Sequence, residues 1–454
     1  MTMDPATTAP YLDHFAELRP ALPGARLDWL DRLRANAIER FAWHGLPGVK
    51  VEEWKYTNLA TLAKTRFRAA APLANSITGA AVARLSLAAP CHRLTFVNGH
   101  YRADLSNLEA LPDGAIVTGL AAALEAHPNL VEAHLTDPRD LIEERLSGQR
   151  DPRPHALVAL NAAFMTDGAF IHLRPGVGLD KPVQVLHLAA PRAGSEIIQP
   201  RGLIIAEAGA RLSVIETFAH HDAGAPDYWS NAVTQVAVGA GADVDHARLQ
   251  AESASASHIA ATHARLDDGA RYRSFVMSIG ARLSRDEIRA DLAGRDGECR
   301  LNGVYLGRRD QRMDHWTRVD HRAAGGTTDE TYKGVLDDSA HGAFQGKIRV
   351  WPGATKSDAR QLNHNLLLSN GAEAASKPEL EILADDVKCS HGATVGDLDR
   401  DALFYLRARG IDQAAAERLL VEAFVSALID ESVPEDTGAY FRAAFATWLG
   451  SAVR

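Results

Sequence analysis

Cys389 and His391 stand two residues apart in the run Asp385-Asp386-Val387-Lys388-Cys389-Ser390-His391-Gly392-Ala393-Thr394-Val395-Gly396. A preceding stretch, Leu380-Glu381-Ile382-Leu383, reads as β-strand. Side chains alternate faces along a strand, so positions i and i+2 point the same way, about 6–7 Å apart. Val387, Cys389 and His391 are therefore expected on one face. A soft sulfur and a borderline nitrogen at that spacing suit iron, zinc or copper(I). The same pair also serves as a buried cysteine beside a hydrogen-bonded histidine, so its surroundings must decide.

Other chemistry is sparse. The run Gly342-Ala343-Phe344-Gln345-Gly346-Lys347-Ile348 is one residue short of a phosphate-cradling loop and ends without a hydroxyl for magnesium. The sequence has no G-x-S-x-G, H-E-x-x-H, C-x-x-C or post-strand G-x-G-x-x-G. His315, His321, His341 and His364, with Asp314 and Asp320, allow a stand-alone metalloenzyme of cupin type as an alternative. A polysaccharide lyase or hydrolase is a weaker one, because aromatics make up only 6% of the chain. Cys91 and Cys299 read as small apolar fillers.

The elements that must position Cys389 and His391 come in three regions. Residues 1–150 are helical and mixed. Leu27 to Phe41 carries apolar residues at three- and four-residue intervals and stops at Gly45 and Pro47. Glu52-Glu53-Trp54-Lys55-Tyr56-Thr57 reads as a docking segment or a packed loop. A strand is expected at 94–99, and a polar connection at Thr136-Asp137-Pro138-Arg139. Over 151–396, short strand-like runs alternate with corners at Gly209, Gly241, Gly269 and Gly297. Such a period reads as a solenoid of stacked coils, in preference to a β-sandwich. In Phe344 to Val350, Phe344, Ile348 and Val350 share one face, and Gln345, Lys347 and Arg349 the other. Residues 397–454 turn helical: a Leu398/Ala402/Tyr405/Leu406 stripe ends at Gly410, Asp412 is the expected N-cap of the next helix, and a last helix follows Pro434.

Bulk properties narrow the classes. The chain has 454 residues and a net charge of −9, without a sustained Lys/Arg run, so the electrostatic footprint of nucleic-acid binding is missing. Neither a secretory signal nor a membrane span is legible. Three widely spaced cysteines do not make a disulfide framework. A cytoplasmic, reducing location is expected.

The segments Tyr332-Lys333-Gly334-Val335, Phe344-Gln345-Gly346, Asn365-Leu366-Leu367-Leu368-Ser369, Lys377-Pro378-Glu379-Leu380-Glu381-Ile382 and Cys389-Ser390-His391-Gly392-Ala393-Thr394 occur in this order. Together they closely resemble the SufB/SufD family of iron–sulfur cluster assembly proteins, over roughly 150–430. The form resembled is the SufD one, since SufB subunits generally carry an E-H-E-A-T type sequence here and a nucleophilic cysteine upstream. The resemblance implies a mainly β fold, a right-handed parallel β-helix flanked by helical regions. It further implies a non-catalytic subunit of a SufBCD-type complex. This would pair with a SufB-like paralogue and bind a SufC-like ABC-type ATPase through its C-terminal helices, with no ATP site of its own. His391, with Cys389 beside it, would ligate nascent iron or cluster at the SufB–SufD interface. Two side chains cannot complete four-coordinate iron, so the partner or sulfide must supply the rest. A flavin in the complex, and a SufB-like homodimer as an alternative, are left open. The pair is expected to face outward at a seam that a second protein completes.

Overall fold

The computed structural model describes residues 5–73, 77–135, 153–192, 194–221 and 226–450, so the connection expected at Thr136 to Arg139 lies outside the described residues. Its body is a parallel β-solenoid in which successive strands fall alternately into two sheets. One sheet runs from Arg201–Ala206 through Tyr228–Val238, Ala256–Leu266, Leu283–Leu292, Arg312–His321 and His341–Val350 to Glu373–Ile382. The other runs from Val183–Ala189 through Arg211–His220, Asp243–Ala251, Arg271–Ser278, Glu298–Gly307, Thr327–Leu336 and Asp358–Leu367 to Lys388–Gly396.

One corner of every coil is set by a residue in the left-handed region, and these residues stack. Gly209, Gly241, Gly269, Asp296, Gly325, Lys356 and Asp386 have φ between 55° and 79°. Each of the first six donates its backbone N–H to a carbonyl of the next coil, as Gly209 to Ala240 and Lys356 to Asp386. Glycine takes this conformation without steric cost. The expected corner at Gly297 is displaced by one residue, onto Asp296, because Asp also tolerates positive φ.

Through the middle coils, from Tyr228–Val238 to Arg312–His321, the strands are buried on both faces over most of their length, as parallel sheets require. Between the two sheets lies the lumen, filled by Val214, Val244, Tyr272, Leu301, Phe344, Ile348 and Val350 among others. Leu30, Phe41 and Trp54 of the N-terminal region share a core with Trp229, Ile259 and Leu283 on the outer face of the first sheet. The helix expected from Leu27 is Asp28–His44, and Trp54 is 1% exposed. Val421, Val425, Leu428, Phe441 and Phe445, on Gln413–Ser432 and Glu435–Gly450, pack on Phe275, Met277 and Val304 of the second sheet's outer face. Asp412 caps its helix by accepting from the Ala415 N–H. The stripe before it behaves differently: Arg400–Ala408 buries none of its residues, and Phe404 and Tyr405 are 74% and 56% exposed.

The two ends of the solenoid differ. At the first end, short antiparallel strands, His100–Tyr101 and Ala115–Gly119, terminate the sheets. At the other, Glu373–Ile382 and Lys388–Gly396 are each paired on one side only, and neither contains a fully buried residue. Among the described residues no helix is long and apolar enough to cross a membrane.

Candidate functional site

Cys389 and His391 lie on the last strand, at the open end. Parallel register places Cys389 beside Ala359, in a column continuing through Thr328 and Cys299. His391 lies beside Gln361, in the column of Glu330 and Leu301. These columns belong to the lumen face. Val387 and Cys389 pack against the lumen cluster, while His391 is exposed. The strand thus places both residues on one face at the mouth of the tube, and that face is the lumen side rather than the outward one expected.

The chemistry of the pair follows from these surroundings. Burial pushes the Cys389 thiol above its ordinary value, and the Asp358 carboxylate adds to the effect. The thiol is therefore neutral near pH 7, not an activated nucleophile, and binding a metal must displace its proton. His391 reaches solvent and carries a lone pair whenever neutral. The donor set fits a soft or borderline metal with open positions, which an approaching surface would have to fill.

Beneath the last strand lies a row of three buried amides, Gln361, Asn363 and Asn365. Gln361 Nε2 donates to Glu330 Oε2 at 2.5 Å. Asn363 Nδ2 donates to Tyr305 Oη at 3.0 Å, and Tyr305 Oη donates to Asn365 Oδ1 at 2.5 Å. Burial pushes the Glu330 carboxyl up to about 7, against the hydrogen bonds from Gln361 and Thr317. Sequence reasoning missed this row. The available signal was the i, i+2, i+4 spacing of amides in a strand expected to be apolar inside.

The other candidate ligands do not converge. His315 and His321 occupy the lumen, where His315 stacks on Tyr305 with centroids 5.2 Å apart and the His321 ring is 2.8 Å from Thr328 Oγ1. Burial lowers both to about 4, so both are neutral. Asp314 and Asp320 are on the opposite face of the same strand, bonded to Thr57 and to Arg318 and Trp351 respectively. His341 pairs with Glu373 at 3.1 Å, and His364 with Thr394 at 2.8 Å. Strand alternation separates the residues that proximity in sequence had grouped, and no cluster of three or more His, Cys, Asp or Glu suited to a metal occurs among the described residues. Cys91 and Cys299 are buried, with thiols pushed up by burial.

The structure is thus a parallel solenoid closed by antiparallel strands at one end, with Cys389 and His391 on an edge strand paired on one side only at the other. Residues 189–424 match the SUF system FeS cluster assembly SufBD core domain, and residues 5–185 match the SufBD protein N-terminal region. The chain belongs to the SufB/SufD family of iron–sulfur cluster assembly proteins. It is 32% identical over 404 residues to an iron–sulfur cluster assembly SufBD family protein of Synechocystis, covering 88% of this chain and 86% of that one. It is 30% identical over 390 residues to the iron–sulfur cluster assembly protein SufD of Escherichia coli, covering 85% of each. Identity to SufD of Bacillus subtilis is 27% over 419 residues, 89% of this chain and 90% of the relative.

Proposed function

We propose that this chain is a non-catalytic scaffold subunit that helps to form an iron–sulfur cluster at its open end, jointly with a SufB-like paralogue. The observation that carries the reading is the placement of Cys389 and His391 on the one-sided last strand. An edge strand with free N–H and C=O groups invites a second chain, and the two donors leave an iron ion unsaturated until that chain arrives. His391 takes the role of iron ligand as neutral imidazole, and Cys389 assists once its proton is lost. Iron and sulfide are cargo, passed on to apo-proteins.

Under the same reading a SufC-like ATPase docks on residues 397–454. The exposed Phe404 and Tyr405 support this, since the remainder of the C-terminal helical region buries its apolar face on the solenoid. The complex operates in the cytoplasm, where free thiols persist.

The test is His391→Ala in the co-expressed complex, followed by quantitation of iron and sulfide per complex. A several-fold drop with intact subunit composition is expected. Full loading would remove His391 from the role.

A further inference from the structure

The two strands at the open end of the solenoid present different free edges. In a strand the N–H and C=O of one residue point to the same side, and successive residues alternate sides. Glu373 donates its N–H to the Ala340 carbonyl and Leu383 to that of Val350, so the odd-numbered residues of Glu373–Ile382 face the neighbouring strand. The even-numbered residues turn to the free edge, and Pro378 is the central one. Proline has no N–H, and its ring fills the place from which a donor would reach an added strand. The solenoid's own ladder loses nothing by it, since a donor at 378 would point away from His341–Val350.

The last strand has the opposite parity. Lys388 donates its N–H to the Ser357 carbonyl, and on the same side the Thr394 carbonyl accepts from Asn365 Nδ2 at 3.4 Å. Cys389, His391, Ala393 and Val395 therefore turn their N–H and C=O groups to the free edge in an unbroken row. Charge sharpens the contrast. The outer face of Glu373–Ile382 carries Lys377, Glu379 and Glu381, tied to Glu52, Lys347 and Arg349. Lys388–Gly396 has no proline and a single Lys, at its start. Proline and charge are the means by which natural sheets keep an edge from pairing.

We infer that a partner joins this end by adding a strand to Lys388–Gly396, and that Pro378 keeps the Glu373–Ile382 edge from pairing. This rests on the reading above that a second chain seats here, and names the edge it takes. An added strand runs about 4.8 Å from the last one, with alternate side chains on the lumen side beside Cys389 and His391. Main-chain pairing then delivers the missing metal donors in register. Pairing at the other edge would carry them to the opposite sheet.

The experiment is hydrogen exchange at single-residue resolution on the full-length chain, alone and in the co-expressed complex with the SufB-like paralogue. Exchange at Cys389, His391, Ala393 and Val395 should slow several-fold in the complex, with no comparable change at Ala374, Ser376, Leu380 and Ile382. Slowing at both edges alike, or none at Lys388–Gly396, overturns the inference. Ala393→Pro removes a free-edge donor without touching the ladder to Asp358–Leu367, and should abolish co-purification of the paralogue. Ser376→Pro does the same at the other edge and should retain it. Retention in a folded Ala393→Pro overturns the inference, and where that variant does not fold the exchange pattern of the wild-type complex decides. Full iron and sulfide loading in His391→Ala, with exchange slowed at Lys388–Gly396 alone, removes the ligand role and keeps the edge assignment. Depleted loading with both edges slowed does the reverse, which separates the two failures.

Discussion

Arg285 lies over the ring of Trp54 with its guanidinium carbon 4.1 Å from the centroid, joining the N-terminal region to the outer face of the solenoid. The same guanidinium donates to Thr57 Oγ1 at 2.8 Å and to the Glu53 carbonyl at 2.7 Å, and Thr57 donates to the buried Asp314 carboxyl. The segment Glu52 to Thr57 is therefore a clasp within the chain. Trp54→Ala should lower the unfolding free energy by about 3–5 kcal/mol, the usual range for deleting a buried aromatic. Denaturant titration of the variant checks this, and a change below 1 kcal/mol would show that the clasp is superficial.

Glu330 sets a pH dependence of stability. Its carboxyl is raised to about 7 in the folded chain, against an ordinary glutamate value of roughly 4.3 in the unfolded one. The folded state therefore holds the proton more tightly. The associated stability is fully present below about pH 4 and is lost as pH rises through about 7, amounting to roughly 4 kcal/mol at most. Glu330→Gln should flatten that slope between pH 5 and 8. Parallel wild-type and variant curves would refute the assignment.

Gly346→Ala should destabilise by about 1–3 kcal/mol, as overpacking does, because the new methyl meets the Gln361 amide. Gly396→Ala is the matched comparison: nothing lies within 4 Å of a Cβ there, and its melting temperature should not move. Equal effects of the two substitutions would contradict the packing account.

Phe404→Ser with Tyr405→Ser should leave stability within about 0.5 kcal/mol, as at most exposed sites. If the proposed SufC-like ATPase docks there, the same pair should abolish co-purification with it. Retained co-purification would move that docking surface elsewhere.

The coil period was legible because glycine, which takes the left-handed conformation at no steric cost, fills the corners at Gly209, Gly241 and Gly269, whereas Asp296, Lys356 and Asp386 hold the same conformation without advertising it. Alternation correctly put Val387, Cys389 and His391 on a common face. It could not say which face, because the lumen positions beside them are polar (Glu330, Gln361 and Asn363) and the apolar signal that marks an interior is missing there. The stripe from Leu398 to Leu406 has the periodicity of a packed helix, yet Tyr405 faces solvent. Periodicity reports an apolar face, not the surface that covers it.

A tube stopped at one end and live at the other can be joined lengthwise only once. Among the described strands, the sole long parallel edges are Glu373–Ile382 and Lys388–Gly396. Mating there uses them up, so growth along the axis halts at a closed pair, and the architecture that leaves Cys389 and His391 on an open edge also limits end-to-end fibre formation.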